Sequence, residues 1–344
     1  MTIISKTKYE ASEAEIKELF SFHKMGNVTD IAALGAGEFN SVYKVTCDNG
    51  NSYALKIAPP QNAKVLSYEN NLMKSEVFWY SQMHEKTDIL CPKVFVSDFS
   101  KEIIKSNCFI MEMMKGVPIW EAGITDADYE DIQLQKISML TKIHKIQNDG
   151  FGYIQTGLAP TWYEALKKMA QNLVTDCKNL GHQTPDGEKF LSLIDKHEKL
   201  LRAVPCRMVN FDFWDSNILY DTESKKICWI DPERGFWGDP VADFITFAPG
   251  QKAPLSEKTL SAHSDHRRAA GRRVRNDGQH VCVRLAASAR HHGGSDRGDR
   301  HHAAESRNDA VRRGYDRHAG NARADCGAYG GTVVVPVRSA GSDA

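Results

Sequence analysis

The chain has 344 residues, a formal net charge of zero and 41% hydrophobic residues, values typical of a soluble globular protein with roughly two domains. It contains no apolar run of about 18 residues and no basic start followed by an apolar stretch, so neither a membrane span nor a secretory signal is expected. The eight cysteines are scattered without a C-x-x-C pair, which favours reduced thiols and a cytoplasmic location.

The zero net charge is the sum of two unlike segments. Residues 1–260 carry 29 basic and 35 acidic side chains, a net charge of −6. Residues 261–344 carry 15 arginines and nine acidic residues, a net charge of +6. The whole-chain charge therefore does not by itself exclude a polyanion-binding protein, and the two segments are treated separately.

The first predicted elements are a short helix and two antiparallel strands. Ser12 and Glu15 form a capping-box pattern ahead of an apolar helix face. Farther along, LGAGEFNSVYKV places glycines where a strand begins, and the DNG sequence at 48–50 predicts a hairpin turn into a second strand. Glycines let backbone N–H groups approach phosphate oxygens closely, so Gly35 and Gly37 are candidate phosphate-binding residues. A plain tight turn is the alternative.

A lysine lies on the second of these strands. Lys56, in YALKIA, would need a carboxylate partner if it faces the inside of the sheet. A helix predicted from about Ser67 to His84 offers Glu76, with Glu69 as the alternative partner. A lysine held in this way would be directed at nucleotide phosphates, whereas a solvated lysine at the sheet edge is the structural alternative.

Two further strands and then a run of helices follow. CPKVFVSD and NCFIMEMM are typical of strands, and the GVP sequence at 116–118 ends them. Strands first and helices second predict an α+β protein with two lobes and a boundary near Lys115. The helical patterns are DADYEDIQLQKISMLTKIHKI, WYEALKKMAQNLVTDCKNL and GEKFLSLIDKHEKLLRAV.

The strongest signal for chemistry is VNFDFWDSNILYD followed by WIDPE. Asp212 and Asn217 are five residues apart, and Asp231 follows fourteen residues later, after a short hairpin. This spacing predicts three oxygen-bearing side chains in one cleft, and Mg²⁺ prefers oxygen ligands. Asp212 would accept the proton of an attacking hydroxyl, while Asn217 and Asp231 would hold the metal. The alternative is a polar loop whose Asp and Asn side chains only cap turns.

These motifs, in this order, carry a family resemblance. The chain from about Ile31 to Phe244 resembles the aminoglycoside phosphotransferase family, which shares the protein-kinase-like fold with choline, fructosamine and homoserine kinases. VNFDFWDSNIL is similar to its catalytic loop (H-G-D-x-x-x-x-N) and WIDPERGFWGDPVADF to its metal-binding segment, in which Asp243 would be a structural anchor. The resemblance implies a small antiparallel-sheet lobe, a larger helical lobe, and ATP-dependent phosphoryl transfer to a small-molecule hydroxyl with Mg²⁺. GTP is the alternative nucleotide.

The resemblance also implies a nucleotide site. The glycine loop would cover the phosphates, Lys56 would orient them, and backbone groups of Glu112 to Met114 would contact the adenine. The catalytic residue would be Asp212 and the metal ligands Asn217 and Asp231. The candidate nucleotide-binding residues are Gly35, Gly37, Asn40, Ser41, Val42, Lys56, Glu76, Glu112 and Met114.

The chain departs from the family pattern inside the catalytic loop. Asn210 stands where the family usually has His, and because an amide can still donate a hydrogen bond, this change does not exclude activity. Phe211 stands where the family usually has Gly. The tryptophan at position 214 makes the loop similar to that of fructosamine-kinase-like members. Outside these motifs His144 is interpreted as a packed helix residue. The tryptophans interpreted as core or lobe-interface residues are Trp120, Trp162, Trp229 and Trp237.

The tail, residues 261–344, has a composition unlike the rest of the chain. It contains no Lys, Ile, Met, Phe or Trp, a single leucine at Leu285, and eight of the thirteen histidines. So few large apolar side chains cannot offset the entropy of ordering the segment. Only Thr332 to Val337 resembles a strand, and Pro336 interrupts it.

Three interpretations of the tail are open. It is a basic arm for nucleic acid, a metal site built on its His pairs, or out-of-frame translation of a GC-rich gene end. The third is favoured, because a frame slip produces this Arg, Ala, Gly and His enrichment together with the sudden loss of Lys and Ile. Recognisable family sequence is expected to stop near Leu260.

The predicted organisation is a nucleotide-binding lobe over 1–115, an incomplete helical catalytic lobe over 116–260 and the tail. The favoured function is an ATP-dependent O-phosphotransferase, and the alternative is a nucleotide-binding protein without a complete acceptor site. The expected partner is a small-molecule hydroxyl acceptor, without nucleic acid or membrane. The charge of −6 leans slightly toward cationic acceptors, and the sequence indicates no oligomeric state.

Overall fold

The computed structural model describes most of the chain before the tail. No helix in the described part is long and apolar enough to cross a membrane. Gly35 and Gly37 lie outside the described residues, as does most of the tail. The described residues are 8–34, 39–63 and 65–243, with the backbone of 280–285 and 333–338.

Contacts between residues divide the chain into two units. The first comprises Met1–Leu158 and Cys206–Ala270. The second comprises Ala159–Pro205 and Gly271–Ala344. Every predicted site residue that the structure describes belongs to the first unit, so the site can be described within that unit alone.

The first unit begins with an antiparallel sheet of five strands. The strands are β1 (Val28–Leu34), β2 (Ser41–Cys47), β3 (Ser52–Ile57), β4 (Val94–Asp98) and β5 (Cys108–Glu112). Their order across the sheet is β1-β2-β3-β5-β4, which makes β3 a central strand. The predicted DNG hairpin turn joins β2 to β3. Because β3 is paired on both sides, a side chain on its inner face is shielded from water.

Two helices accompany this sheet. Helix α1 (Glu13–Phe22) begins with the predicted capping box of Ser12 and Glu15, and its buried face packs against β2, β3 and β5. Helix α2 (Leu72–Lys86) begins later than predicted. A separate 3-10 turn, Ser67–Glu69, precedes it, and Asn71 interrupts the helix by adopting a left-handed conformation with φ +61°.

The rest of the first unit places two loops side by side. Strand β7 (Arg207–Val209) pairs with β10 (Phe236–Gly238), and β6 (Val117–Pro118), β8 (Ile218–Asp221) and β9 (Lys226–Trp229) form a three-stranded sheet. Helix α3 (Asp126–Ile143) packs against β7 and β9. The loop from β7 to β8 contains Asp212 and Asn217, and the segment from β9 to β10 contains Asp231. We call the first the 210–217 loop.

The described residues of the second unit form three helices and two strands. The long helical pattern predicted for 187–204 is two helices, because α5 ends at Lys196 and α6 begins after His197. The tail contains two paired strands where the sequence predicted one. Both are edges of a two-stranded sheet, so the missing N–H of Pro336 is tolerated. The elements are α4 (Trp162–Asn179), α5 (Pro185–Lys196), α6 (Glu198–Arg202), β11 (His280–Leu285) and β12 (Val333–Arg338).

Three of the four tryptophans interpreted as core or lobe-interface residues are buried: Trp162, Trp229 and Trp237. Trp120 is not a core residue, since 45% of it is exposed. It lies on a short 3-10 turn in which the preceding Ile119 takes the buried position, while the indole N–H donates to Glu121 Oε1 at 3.2 Å. A single turn has only one buried face, and here that face belongs to the isoleucine.

Candidate active site

The centre of the site is a buried lysine surrounded by carboxylates. Lys56 lies on β3, opposite Val42 of β2 and Phe109 of β5, and is only 4% exposed. Its Nζ is 2.7 Å from Glu76 Oε2 and 2.7 Å from Asp231 Oδ1. The β9–β10 segment is thereby tied to the five-stranded sheet through one ammonium group.

Of the two glutamates that the sequence left open as partners of Lys56, Glu76 forms the pair. It is fully buried on α2 and faces the lysine. Glu69 instead accepts a hydrogen bond from the backbone N–H of Leu66 at 2.8 Å, which closes the 3-10 turn ahead of α2. The difference follows from the start of α2 at Leu72, because only Glu76 is within this helix.

The acidic cluster has a third member that the sequence analysis missed. Glu233 Oε2 is 3.6 Å from Lys56 Nζ and accepts a hydrogen bond from Asn40 Nδ2 at 3.0 Å. Glu233 is two residues beyond Asp231, so the WIDPER sequence contained the signal. Asn40 was predicted to bind phosphate and here connects the start of β2 to this cluster.

Burial and mutual repulsion set the charges of this cluster. Burial alone would lower the pKa of Lys56, but the surrounding carboxylates outweigh it and raise the pKa above the ordinary value of a lysine. Burial raises the pKa of Glu76 to about 8 and that of Glu233 to about 7, and repulsion from Asp231 adds to both. The raised pKa values mean that the three carboxyl groups do not all stay charged beside one ammonium group near neutral pH, and a bound cation would favour their charged forms.

One carboxylate of this cluster, Asp231, is also a predicted Mg²⁺ ligand, and its oxygen donors suit that metal. Carboxylate oxygens of Glu76, Asp231 and Glu233 lie within 4.8 Å of one another, and hard oxygen donors are those that Mg²⁺ takes. The side chain of Asp231 is 34% exposed, so it can reach a ligand from outside the protein. Its backbone has φ +61°, and its N–H donates to Tyr80 Oη at 3.0 Å, which fixes this conformation.

The 210–217 loop places Asp212 and Asn217 together. Asn217 Nδ2 donates to the carbonyl oxygen of Asp212 at 3.0 Å, and the backbone N–H of Asp212 donates to Asn210 Oδ1 at 3.3 Å. The backbone N–H of Ile230 donates to the carbonyl oxygen of Asn217 at 2.9 Å. The loop is thereby bonded to the residue that precedes Asp231, and the three residues of the strongest motif belong to one connected structure.

A buried aspartate holds the start of this loop. Asp243 accepts hydrogen bonds from the backbone N–H groups of Asn210, at 3.1 Å, and Phe211, at 2.6 Å. Phe211 has φ +59°, a left-handed conformation that favours glycine, which explains why Gly is the usual family residue there. His144 Nε2 lies 2.8 Å from Asp243 Oδ2, so this histidine is packed, as interpreted, and also bonded to the anchor.

A cation lies beside Asp212. Arg234 Nε is 3.8 Å from Asp212 Oδ2, at the border between an ion pair and a longer-range attraction. Burial alone would lower the pKa of Arg234, but Asp212 and other acidic neighbours, among them Glu233, together outweigh it and raise the pKa above its ordinary value. Sequence reasoning missed Arg234, although it follows Glu233 directly in WIDPER.

The remaining candidates for the nucleotide site lie at the start of β2 and at or just beyond the end of β5. Ser41 Oγ donates to the carbonyl oxygen of Tyr9 at 2.6 Å, so its hydroxyl group is engaged with the N-terminal segment. Glu112 ends β5 with an exposed side chain, and its backbone N–H donates to the carbonyl oxygen of Lys93 at 2.8 Å. Met114 follows, half-buried. Glu112 and Met114 are not part of the acidic cluster around Lys56.

Comparison with known proteins gives the family. The model of the phosphotransferase enzyme family matches residues 30–275. The chain belongs to this family. The match continues past Leu260, where recognisable sequence was expected to stop. The aminoglycoside phosphotransferase resemblance is thereby confirmed, and the chain is a small-molecule phosphotransferase, of the class that transfers to an alcohol group. No curated protein sequence matches the chain significantly.

Solved structures show the same fold at low sequence identity. A protein from Thermobifida fusca YX-ER1 named as a fructosamine-3-kinase has 18% identity and a TM-score of 0.54, over 75% of this chain and 88% of that one. The complex of gentamicin with APH(2″)-IIa has 16% identity and a TM-score of 0.53, over 77% of this chain and 85% of the other. A thermostable mutant of the aminoglycoside phosphotransferase APH(4)-Ia, in complex with AMP-PNP and hygromycin B, has 17% sequence identity and a TM-score of 0.50. That match covers 75% of this chain and 84% of the other. The predicted α+β protein-kinase-like fold is confirmed.

Proposed function

We propose that this phosphotransferase uses ATP and Mg²⁺ and transfers the γ-phosphoryl group to a hydroxyl of a small molecule. The observation that carries the proposal is the buried Lys56, which joins Glu76 on α2 to Asp231 beside the 210–217 loop. A buried lysine fixed between two carboxylates suits the orientation of phosphate groups, and Asp231 suits the metal that accompanies them.

Each remaining residue has a proposed role in this reaction. Asp212 orients the acceptor hydroxyl and accepts its proton as the oxygen attacks in line. Asn217 and Asp231 would hold Mg²⁺, which when bound neutralises charge on the phosphate oxygens. Backbone groups from Glu112 to Met114 contact the adenine. The phosphates are covered by the loop that contains Gly35, Gly37 and Asn40 and by the start of β2 at Ser41 and Val42.

The acceptor is proposed only as a class. APH(2″)-IIa binds gentamicin, and APH(4)-Ia binds hygromycin B together with AMP-PNP. The excess of carboxylates in the site and the charge of −6 over residues 1–260 favour a cationic, hydroxylated acceptor of the aminoglycoside kind. A neutral hydroxylated metabolite is the alternative, and a panel containing both kinds separates them.

The test is turnover of ATP by the Asp212→Ala variant. With an acceptor identified from the panel, the variant should lose about 100- to 10,000-fold in kcat, the range for loss of a positioned general base. Asp88→Ala, at an exposed carboxylate paired with Lys142, is the matched control and should equal the wild type. Equal transfer by wild type and Asp212→Ala would remove Asp212 from the mechanism.

A second function, nucleotide binding without transfer, is favoured by one observation. Asn210 and Phe211 stand where the family has His and Gly, and Phe211 holds a strained left-handed conformation directly beside Asp212. Calorimetry with Mg·AMP-PNP, followed by the acceptor panel with Mg·ATP, decides between the two. Binding without transfer to any acceptor would establish the second function.

A further inference from the structure

A second buried lysine contacts the 210–217 loop from another direction. Lys136 lies on α3, and only 1% of its side chain is exposed. Its Nζ is 2.8 Å from Asp215 Oδ1, and 14% of the Asp215 side chain is exposed. The lysine occupies the inner face of α3, beside the buried Ile132 and Ile137. This ion pair is therefore not one of the solvated surface pairs that contribute little.

The partner of Lys136 lies between the two proposed functional residues of the loop. Asp215 is three residues after Asp212 and two before Asn217, and it begins a single 3-10 turn, Asp215–Asn217. The backbone N–H of Asn217 closes this turn by donating to the carbonyl oxygen of Trp214 at 2.9 Å. A contact at Asp215 therefore acts on the turn that carries Asn217.

Lys136 also contacts the residue that follows Asp212. Its Nζ lies 5.4 Å from the ring centroid of Phe213, within the range of a cation–π interaction. Phe213 is fully buried and packs edge-to-face on Trp229, with ring centroids 5.5 Å apart. Trp229 ends β9, two residues before Asp231. One ammonium group thus contacts both halves of the loop and, through Phe213, the strand leading to the proposed metal ligand.

We propose that Lys136 is a positioning residue, which fixes the separation between the Asp212 carboxylate and the Asn217 carboxamide. A shift of Asp215 would break a buried ion pair at 2.8 Å, so other arrangements of the loop are disfavoured. In that arrangement Asn217 Nδ2 donates to the carbonyl oxygen of Asp212 at 3.0 Å, and Asn217 Oδ1 accepts a hydrogen bond from Ser216 Oγ at 3.4 Å. The inference rests on the proposed function for its catalytic consequence, but the restraint on the loop does not.

The kinetic experiment compares Lys136→Met with Lys136→Arg and Lys142→Met. Lys142 lies on the same helix in an exposed pair with Asp88, at 2.6 Å, and is the matched control. Lys136→Met should lower kcat by about 100-fold and raise the Mg²⁺ concentration for half-maximal activity, because a small displacement of the reacting groups has an effect of that size. Lys136→Arg keeps the positive charge and should retain more activity than Lys136→Met, because the ion pair with Asp215 can still form. Lys142→Met should equal the wild type.

Amide hydrogen exchange gives a readout that does not require activity. Lys136→Met should accelerate exchange in the 210–217 loop well below the melting temperature, while Lys142→Met leaves it unchanged. If the wild type neither binds Mg·AMP-PNP nor transfers phosphate, the proposed function fails and the exchange data alone judge Lys136. If Lys136→Met does not fold, Asp215→Asn replaces it, with the same expected results. A lower melting temperature with unchanged loop exchange, kcat and Mg²⁺ dependence would overturn the positioning role.

Discussion

The ammonium group of Lys56 is stable in the interior only because carboxylates surround it. Removing a charge from water costs several kcal/mol, and the loss is recovered when close, hydrogen-bonded partners replace the solvent. Asp231 accepts a hydrogen bond from Lys56 Nζ at 2.7 Å, and Glu76 Oε2 forms an ion pair with it at the same distance. Their contributions differ, because Glu76 is fully enclosed on α2, whereas Asp231 retains one exposed side. Glu76 therefore fixes the lysine, and Asp231 is the member that can turn toward a ligand.

Replacing the enclosed glutamate should separate its role from that of Glu69. We expect Glu76→Gln to lower kcat/KM for ATP by about 10- to 100-fold, because the buried ion pair that fixes Lys56 is lost, and each tenfold change corresponds to about 1.4 kcal/mol. Glu69→Gln keeps the hydrogen-bonding shape of the 3-10 turn and should change kcat/KM by less than about threefold. Steady-state kinetics at saturating acceptor measures both. Equal losses in the two variants would mean that the Lys56–Glu76 pair does not set phosphate binding.

At the scale of elements, helix α3 connects the site to the sheet that carries it. Its N-terminal capping box joins Thr125 and Asp128, and Asp128 also accepts hydrogen bonds from Tyr220 Oη and Lys225 Nζ of the β8–β9 hairpin. Its centre places Lys136 against the 210–217 loop, and the residue at its C-terminal end, His144, contacts Asp243. One helix thus contacts the hairpin, the loop and the loop anchor.

The start of α3 offers an independent test of stability. Thr125→Ala removes the hydroxyl oxygen that accepts the Asp128 N–H, so the free energy of unfolding should fall by about 1 kcal/mol. Thr125→Ser keeps that oxygen and should stay within a few tenths of a kcal/mol of the wild type. Urea unfolding followed by circular dichroism measures the difference. If alanine and serine are equivalent at this position, the cap does not stabilise α3.

The predictability of these elements depends on whether their cause is local. The capping box at Ser12 and the DNG turn were predicted because the interacting groups lie within a few residues of one another. Lys136 and Arg234 were missed because each meets its carboxylate only after α3 or the β9–β10 segment has packed against the loop. The break before α2 was missed for another reason, since the left-handed Asn71 has no strong sequence signal.

For the whole molecule, the main sequence feature outside the site is the uneven distribution of charge along the chain. The acidic residues of the site belong to the segment with net charge −6, and the tail contributes +6 without a single lysine. The family match ends at residue 275, within the tail. We keep the proposed organisation of a nucleotide-binding lobe over 1–115, a helical lobe over 116–260 and a tail of out-of-frame origin, because the composition changes at residue 261 and the family match ends soon afterwards, at residue 275.

The coding DNA tests the origin of the tail. If the reading frame slips near codon 260, one of the other frames across codons 245–280 and beyond should encode amphipathic helices with lysine, isoleucine and phenylalanine at regular spacing. Such helices could bury apolar surface that the arginine- and glycine-rich tail lacks, so the chain with the restored frame should melt at a higher temperature and turn over its acceptor faster. Thermal unfolding and kcat of the two chains measure this. Two outcomes would count against an out-of-frame origin: other frames that encode no amphipathic helices, or a restored chain that is no more stable than the present one. The tail would then be native sequence, and its charge of +6 would require a partner of its own.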